Sequence, residues 1–408
     1  MSLVTTLGDI LNSPIPPVGI EFLPGDPSAW IPEGSDNKPF LFEERNLGIP
    51  HKAVYRAYLE AVHVFSVARK SWSSPPETDK ANLANSSSVI LVANPAHQTA
   101  LNIRKRLVLF DFIDVNAELG FTASLLSLHD GSKQSALWHH RRWLLRHSRR
   151  DLSSTTNDGE DTDTLSAVTL SVEDYHSELS VASRACETYP RNYFAWNHRY
   201  TCIRSLLFSI TRSLSEPTSS SLEKVLGEEC NWITSWINQH ISDYTAMQYA
   251  CQLSHLLHNT YHNHDSTQPT PPSAEDPIHS FTSQTLRTHA QSLLRSYPDH
   301  ESLWLYLRNT FQLPGTLMTE CAEDRSVVRG LILFVRDLLN TTARGSGQDT
   351  DILLEDKYGT MNIHACRFLS WLARQLKVTA GALEGNGRVV DDSVDVGILA
   401  DSLLRSLS

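Results

Sequence analysis

Apolar residues along this chain recur mainly at spacings of three and four, the period of helices buried along one face. Trp196, Tyr200, Ile203 and Leu207 fall at i, i+4, i+7 and i+11. Leu101, Val108 and Phe112 follow the same register, and Trp304, Arg308 and Phe311 nearly do. A stripe of Val54, Tyr58, Ala61, Val62 and Phe65 predicts a helix over His51–Lys70. Companion helices are predicted over Val172–Thr188, Leu222–His240 and Ile278–Ser296, with two more over Ser326–Asn340 and Met361–Lys377. Start signals agree: Asn94-Pro95, Pro190 ahead of Asn192, Asp243 and Pro298-Asp299 all suit a cap or a first turn.

The helices carry a recurring motif. It is clearest as YPRNYFAWNHRY at Tyr189–Tyr200 and as SALWHHRRWLL at Ser135–Leu145, with weaker copies at Asn94–Lys105, Asp243–Cys251 and Tyr297–Phe311. Between the copies lie stretches rich in Ser, Thr, Pro and acid, such as SEPTSSS and HNHDSTQPTPPSAEDP. Such segments bury too little apolar surface to offset their ordering entropy and read as insertions. With them removed the period is roughly 35–40 residues, the length of a helical hairpin repeat. One hairpin cannot bury its own apolar faces, so neighbours must stack. The expected fold is all-α: a right-handed alpha-alpha superhelix, or solenoid, of helical hairpin repeats. Its expected organisation is a proline-rich extended segment over 1–50, a solenoid over 51–377 and a C-terminal tail over 378–408. Five repeats fall near 94–113, 135–148, 189–209, 243–258 and 297–311, with polar insertions near 72–88, 152–171, 212–221, 259–277 and 341–352.

Charge and cysteine usage narrow the function. A formal charge of −11 over 408 residues argues against nucleic acid. The six cysteines show no CxxC or metal-finger spacing, so a reducing, cytoplasmic setting is the plain reading. No signal peptide, transmembrane helix or lipidation box is expected. His258 and His262 share a helix face, yet no acidic or thiol ligand is fixed nearby, so no metal site is expected in this chain.

The Trp-x-His-Arg core with an upstream Asn-Tyr, Asn192-Tyr193-Phe194-Ala195-Trp196-Asn197-His198-Arg199, resembles the repeat of the protein prenyltransferase alpha subunit family. Trp138-His139-His140-Arg141-Arg142-Trp143 fits the same repeat, and Asn94 to Lys105 fits with Leu101 in place of Trp. The fourth copy has Met247 for Trp and Ala250 for Arg, while the fifth keeps Trp304. Long polar insertions and eroded later copies resemble the repeat-containing branch of that family more than its farnesyltransferase or type I geranylgeranyltransferase alpha subunits.

The resemblance implies the non-metal subunit of a heterodimer, inactive alone. A prenyltransferase beta subunit would hold zinc and the isoprenoid pocket, and this chain would bind no cofactor. The reaction would move a geranylgeranyl or farnesyl group from an isoprenyl diphosphate to a C-terminal cysteine of an acceptor, a small GTPase or SNARE. In the family a lysine just before Asn-Tyr reaches the diphosphate. Arg191 stands at that position here, with Tyr193 adding a hydroxyl contact. For Arg191, an exposed arginine at a helix start is the competing reading. Trp138, Trp196 and Trp304 read as packing residues. His140, Arg141, His198 and Arg199 read as residues that face a partner or hold one repeat against the next. A non-catalytic helical-repeat adaptor is the alternative function.

Overall fold

The computed structural model describes residues 2–25, 29–30, 39–71, 76–149, 164–165, 168–212, 218–262, 276–311, 325–345 and 360–375. Most of them are helical. The chain divides into two compact units, Met1–Val225 and Leu226–Ser408.

The first unit opens with helix α1 (Leu3–Leu11), capped by the Ser2 hydroxyl, which accepts from the Thr5 amide. Strands β1 (Gly19–Leu23), β2 (Leu41–Glu43) and β3 (Asn46–Pro50) follow. They form a sheet in the order β1-β3-β2, with β1 parallel and β2 antiparallel to β3. The β2–β3 hairpin turns on Glu44 and Arg45, both at positive φ (48° and 66°), the conformation a two-residue turn between twisted strands requires. Among the described residues of 1–50, one helix and three strands stand where an extended segment was expected.

Helix α2 (His51–Ala68) packs on α3 (Glu77–Ala93) through a stripe of Ala53, Ala57, Ala61, Phe65 and Ala68. The expected stripe was rotated, since Val62 is exposed. Small alanines let the two backbones approach closely, so they take the inner face that size alone would give to valine. Helix α3 also corrects the insertion expected at 72–88, for Leu83 and Val89–Val92 are buried in it. Its buried Ser86, Ser87 and Ser88 each donate to a carbonyl three or four residues back, which satisfies the hydroxyls within the helix.

Helices α4 (Gln98–Leu109), α5 (Val115–Leu126), α6 (His129–Ser132), α7 (Ser135–Ser148), α8 (Val172–Thr188) and α9 (Tyr193–Arg212) complete the unit. α3 pairs with α4, α5 with α7, and α8 with α9. α7 touches both α4 and α9, while α5 touches α8, so successive hairpins lie in two layers. Phe112, expected on the α4 stripe, lies beyond the helix end, which Asp111 breaks at φ 54°. Helix α10 (Thr218–Gln239) leads into the second unit.

That unit contains α11 (Tyr244–His262), the short α12 (Pro277–Ser280), α13 (Ser283–Ser296), α14 (Glu301–Asn309), α15 (Arg325–Gly345) and α16 (360–375). α11 packs on α13 and α14. Trp304 of α14 meets Phe368 of α16 with ring centroids 5.8 Å apart. α10, α11 and α15 each run into stretches expected to be insertions. The tail at 378–408 and the cores of the other polar insertions lie outside the described residues. Among the described residues no helix is long and apolar enough to cross a membrane.

Candidate functional site

The motif folds helices α7 and α14 onto their own entry turns. Trp138 is fully buried and its indole donates to the Ser132 carbonyl six residues upstream at 2.8 Å; Trp304 does the same to Pro298 at 2.8 Å. A large apolar ring with one donor suits this position, because the turn presents a buried carbonyl that needs a partner. Asn192 joins two repeats: its side-chain oxygen caps α9 by accepting from the Ala195 amide, and its Nδ2 donates to Ser132 at 2.8 Å.

The histidines and arginines of the motif form clamps between hairpins. Arg104 of α4 donates through Nε to both oxygens of Glu118 on α5, at 2.9 and 3.0 Å, and His140 of α7 meets the same carboxylate at 2.9 Å. One hairpin further, Arg141 binds Glu178 of α8 with two bonds of 2.7 Å, and His198 of α9 meets Glu178 at 2.9 Å. All six groups are buried. Each arginine also donates to a carbonyl of its own hairpin's first helix: Arg104 to Ala84, Arg141 to Leu119, and likewise Arg199 to Leu179. Arginine's planar fork makes this geometry possible, since one side chain reaches two helices at once.

Burial pushes the Glu118 and Glu178 carboxyls up, but the charges of Arg104 and Arg141 and the hydrogen bonds from His140 and His198 outweigh it, leaving both at about 2. Burial lowers the pKa of His140 and His198, and their bonds to the glutamates only partly oppose it. Each imidazole is therefore neutral and donates from Nε2 to an ionised carboxylate. In the second unit Tyr249 and Tyr306 stand where these histidines stand. Tyr249 donates to Glu229 at 2.6 Å, and Ala250 and Leu307 replace the arginines.

With these residues turned inward, a second face of the same helices carries a different set of side chains. Three residues before the marker Trp or Leu, one after and four after share a second face, at i, i+4 and i+7. On α4 these are Gln98, Asn102 and Lys105; on α7, Ser135, His139 and Arg142; on α9, Tyr193 and Asn197. All eight line one groove of about 440 Å³. Gln98, Ser135 and Tyr193 are the first residues of their helices, so three helix N-termini open on it. Lys105 also lies over the Trp143 ring, 5.3 Å from its centroid. The groove gathers two cations, a histidine, three side-chain amides and a phenol where three helices begin, an arrangement suited to an anion.

The expected site residues divide accordingly. Tyr193 is 63% exposed at the groove's edge. Arg191 is exposed in the preceding turn at φ 60° and is not among the groove-lining residues. His140 touches the groove, but Glu118 holds it. Trp138, Trp196, Arg141, His198 and Arg199 are buried between helices, and Trp304 is buried in the second unit. The sequence reading passed over Lys105 and His139 as site residues. Their signal was the i, i+4, i+7 polar face repeated beside the tryptophan face. Among the described residues no cluster of His, Cys, Asp or Glu could hold a metal ion.

Residues 175–206, from α8 through most of α9, match the protein prenyltransferase alpha subunit repeat. The chain resembles that family. It is 25% identical over 355 residues to protein prenyltransferase alpha subunit repeat-containing protein 1 of Danio rerio, covering 81% of this chain and 78% of the relative. It is 27% identical over 310 residues to the Homo sapiens protein of the same name, 69% of this chain and 71% of that one. Geranylgeranyl transferase type-2 subunit alpha of Saccharomyces cerevisiae is 26% identical over 171 residues, 41% of this chain and 42% of its own. The matched span contains Glu178 and Asn192, both of which bond across to the preceding hairpin, together with Trp196, His198 and Arg199.

Proposed function

We propose that this chain is the alpha-type subunit of a heterodimeric protein prenyltransferase, transferring a geranylgeranyl or farnesyl group to a C-terminal cysteine of an acceptor such as a small GTPase or SNARE. The observation that carries the reading is the groove lined by Lys105, His139, Arg142 and Tyr193 at three helix starts. Its chemistry fits the diphosphate of an isoprenyl donor: fixed cations and amide dipoles stabilise the negative charge that gathers on diphosphate as it leaves. Lys105 and Arg142 take the role first expected of Arg191, and Tyr193 offers its hydroxyl at the rim. A beta subunit would supply the zinc that activates the acceptor thiol and the pocket for the isoprenoid chain. Resemblance to repeat-containing proteins and to a geranylgeranyl transferase alpha subunit supports this division of labour. So does the stacking of the hairpins α3–α4, α5–α7 and α8–α9 within the first unit.

The test is reconstitution with a beta subunit and transfer of labelled isoprenoid to an acceptor protein. Lys105→Ala is expected to weaken diphosphate binding and slow transfer about tenfold or more, the size of a lost charged hydrogen bond. Unchanged transfer by Lys105→Ala, Arg142→Gln and Tyr193→Phe would remove the groove from the mechanism. A stable heterodimer with no transfer to any acceptor would make the chain an adaptor.

A further inference from the structure

Helix α2 presents a face that its neighbours leave open. On a helix turning about 100° per residue, Tyr55, Leu59 and Val62 fall within a strip about 60° wide, opposite the alanine stripe that packs on α3. The three are 63%, 53% and 40% exposed. The first long helix ahead of a repeat array would ordinarily turn polar residues outward, because that face has no next hairpin to cover it. Here the outward strip is apolar, and basic residues flank it. Lys52, Arg56 and Lys70 lie along one edge and Arg69 along the other, with the last two on the 3-10 turn Arg69–Ser71 that extends the helix. The one acid on α2, Glu60, accepts a hydrogen bond from Ser2. Among the described residues Lys52, Arg56, Arg69 and Lys70 form no ion pair. A protein of net charge −11 therefore concentrates uncompensated positive charge around its exposed apolar strip.

We propose that the outer face of α2 docks on an anionic lipid surface, Tyr55, Leu59 and Val62 entering the headgroup layer while the flanking lysines and arginines meet lipid phosphates and carboxylates. An apolar strip lined by basic side chains is the pattern of a helix lying in the membrane interface. Peptide recognition uses walled grooves, and the grooves of 440, 680 and 810 Å³ include no α2 side chain. The inference is independent of the prenyltransferase reading, although an enzyme whose products carry lipid would gain from working beside a membrane.

The test is flotation of the full chain with unilamellar vesicles of phosphatidylcholine, alone or with about one-third phosphatidylserine. The chain is expected to float with the anionic vesicles and to lose that binding as salt rises. Leu59→Asp, and separately Lys52→Glu with Arg56→Glu, should each weaken partition about tenfold or more. These side chains are exposed, so the melting temperature should hold and separate lost docking from lost fold. Absence of flotation, equal binding to both vesicle types, or unchanged binding by Leu59→Asp overturns the proposal. Loss of a stoichiometric protein partner on Leu59→Asp, with vesicle binding intact, overturns it in favour of a protein interface.

Discussion

Glu178 offers the sharpest test of how the hairpins are joined. Glu178→Gln keeps the shape of the side chain and removes its charge. Arg141 would then face a carboxamide, and His198 would lose an ionised acceptor. The carboxyl lies at about 2 against an ordinary 4.5, which corresponds to about 3 kcal/mol favouring the ionised, clamped form. Breaking a buried pair by neutralising one partner costs about 3–5 kcal/mol by an independent route. A loss of about 3 kcal/mol at pH 7 is therefore expected, read from the urea midpoint with the buried tryptophans as fluorophores. Because the folded pKa is depressed, this contribution is complete above about 4.5 and disappears as pH falls from there toward 2. Arg141→Met and Glu178→Leu should each cost a similar amount, while the two combined should cost clearly less than the sum of those singles. A Glu178→Gln loss under about 1 kcal/mol, or strict additivity in the cycle, would refute the clamp as the joint between hairpins.

Three further outcomes follow from the packing. Burial lowers the His140 and His198 pKa, so below 6.5 the unfolded chain takes up protons that the folded chain refuses. Their contribution is complete above about 6.5 and is lost as pH falls below it; unfolding free energy should drop from about pH 7 to 5.5, and His198→Asn should flatten that slope, whereas a parallel slope in both proteins speaks against it. Trp138→Ala should cost about 3–5 kcal/mol and Trp138→Phe about 1, and equal losses would mean the bond to Ser132 rather than the ring matters. A Cβ at Gly131 would lie 2.0 Å from the Leu125 carbonyl oxygen, whereas one at Gly330 meets nothing within 4 Å. Gly131→Ala should therefore destabilise by about 3 kcal/mol or more, while Gly330→Ala, inside a helix, should be neutral or gain up to about 1; a tolerated Gly131→Ala would show that the α6 turn can shift.

Much of the fold was legible from sequence because helices announce themselves locally. The three-four spacing, the cap at Asn192 and the indole positions were readable within one turn, and the predicted helices at His51–Lys70, Val172–Thr188 and Met361–Lys377 match the structure closely. The hairpin at Glu44-Arg45 was not readable, since neither residue signals positive φ as Asn-Gly would. Helix α3 was missed because its polar start and the serines at its middle resemble an insertion until those hydroxyls are seen bonded to their own backbone. The α2 stripe was misplaced because hydrophobicity ranks valine above alanine, while close packing on α3 ranks them by size.

The sequence by itself determined the helices, the repeat and the inward set of tryptophan, histidine and arginine. Only the tertiary structure decided what those charges do. Glu178 lies 37 residues from Arg141, in a helix whose sequence gives the acid no special mark. Its carboxylate becomes a clamp only when the hairpins stack: burial alone would raise its pKa, but it also unscreens Arg141 and brings in His198, whose pull outweighs that and leaves the carboxyl at about 2. The groove has the same origin. Lys105, His139 and Tyr193 sit on three helices, and local periodicity fixes the face each one occupies but not the register that brings the faces together.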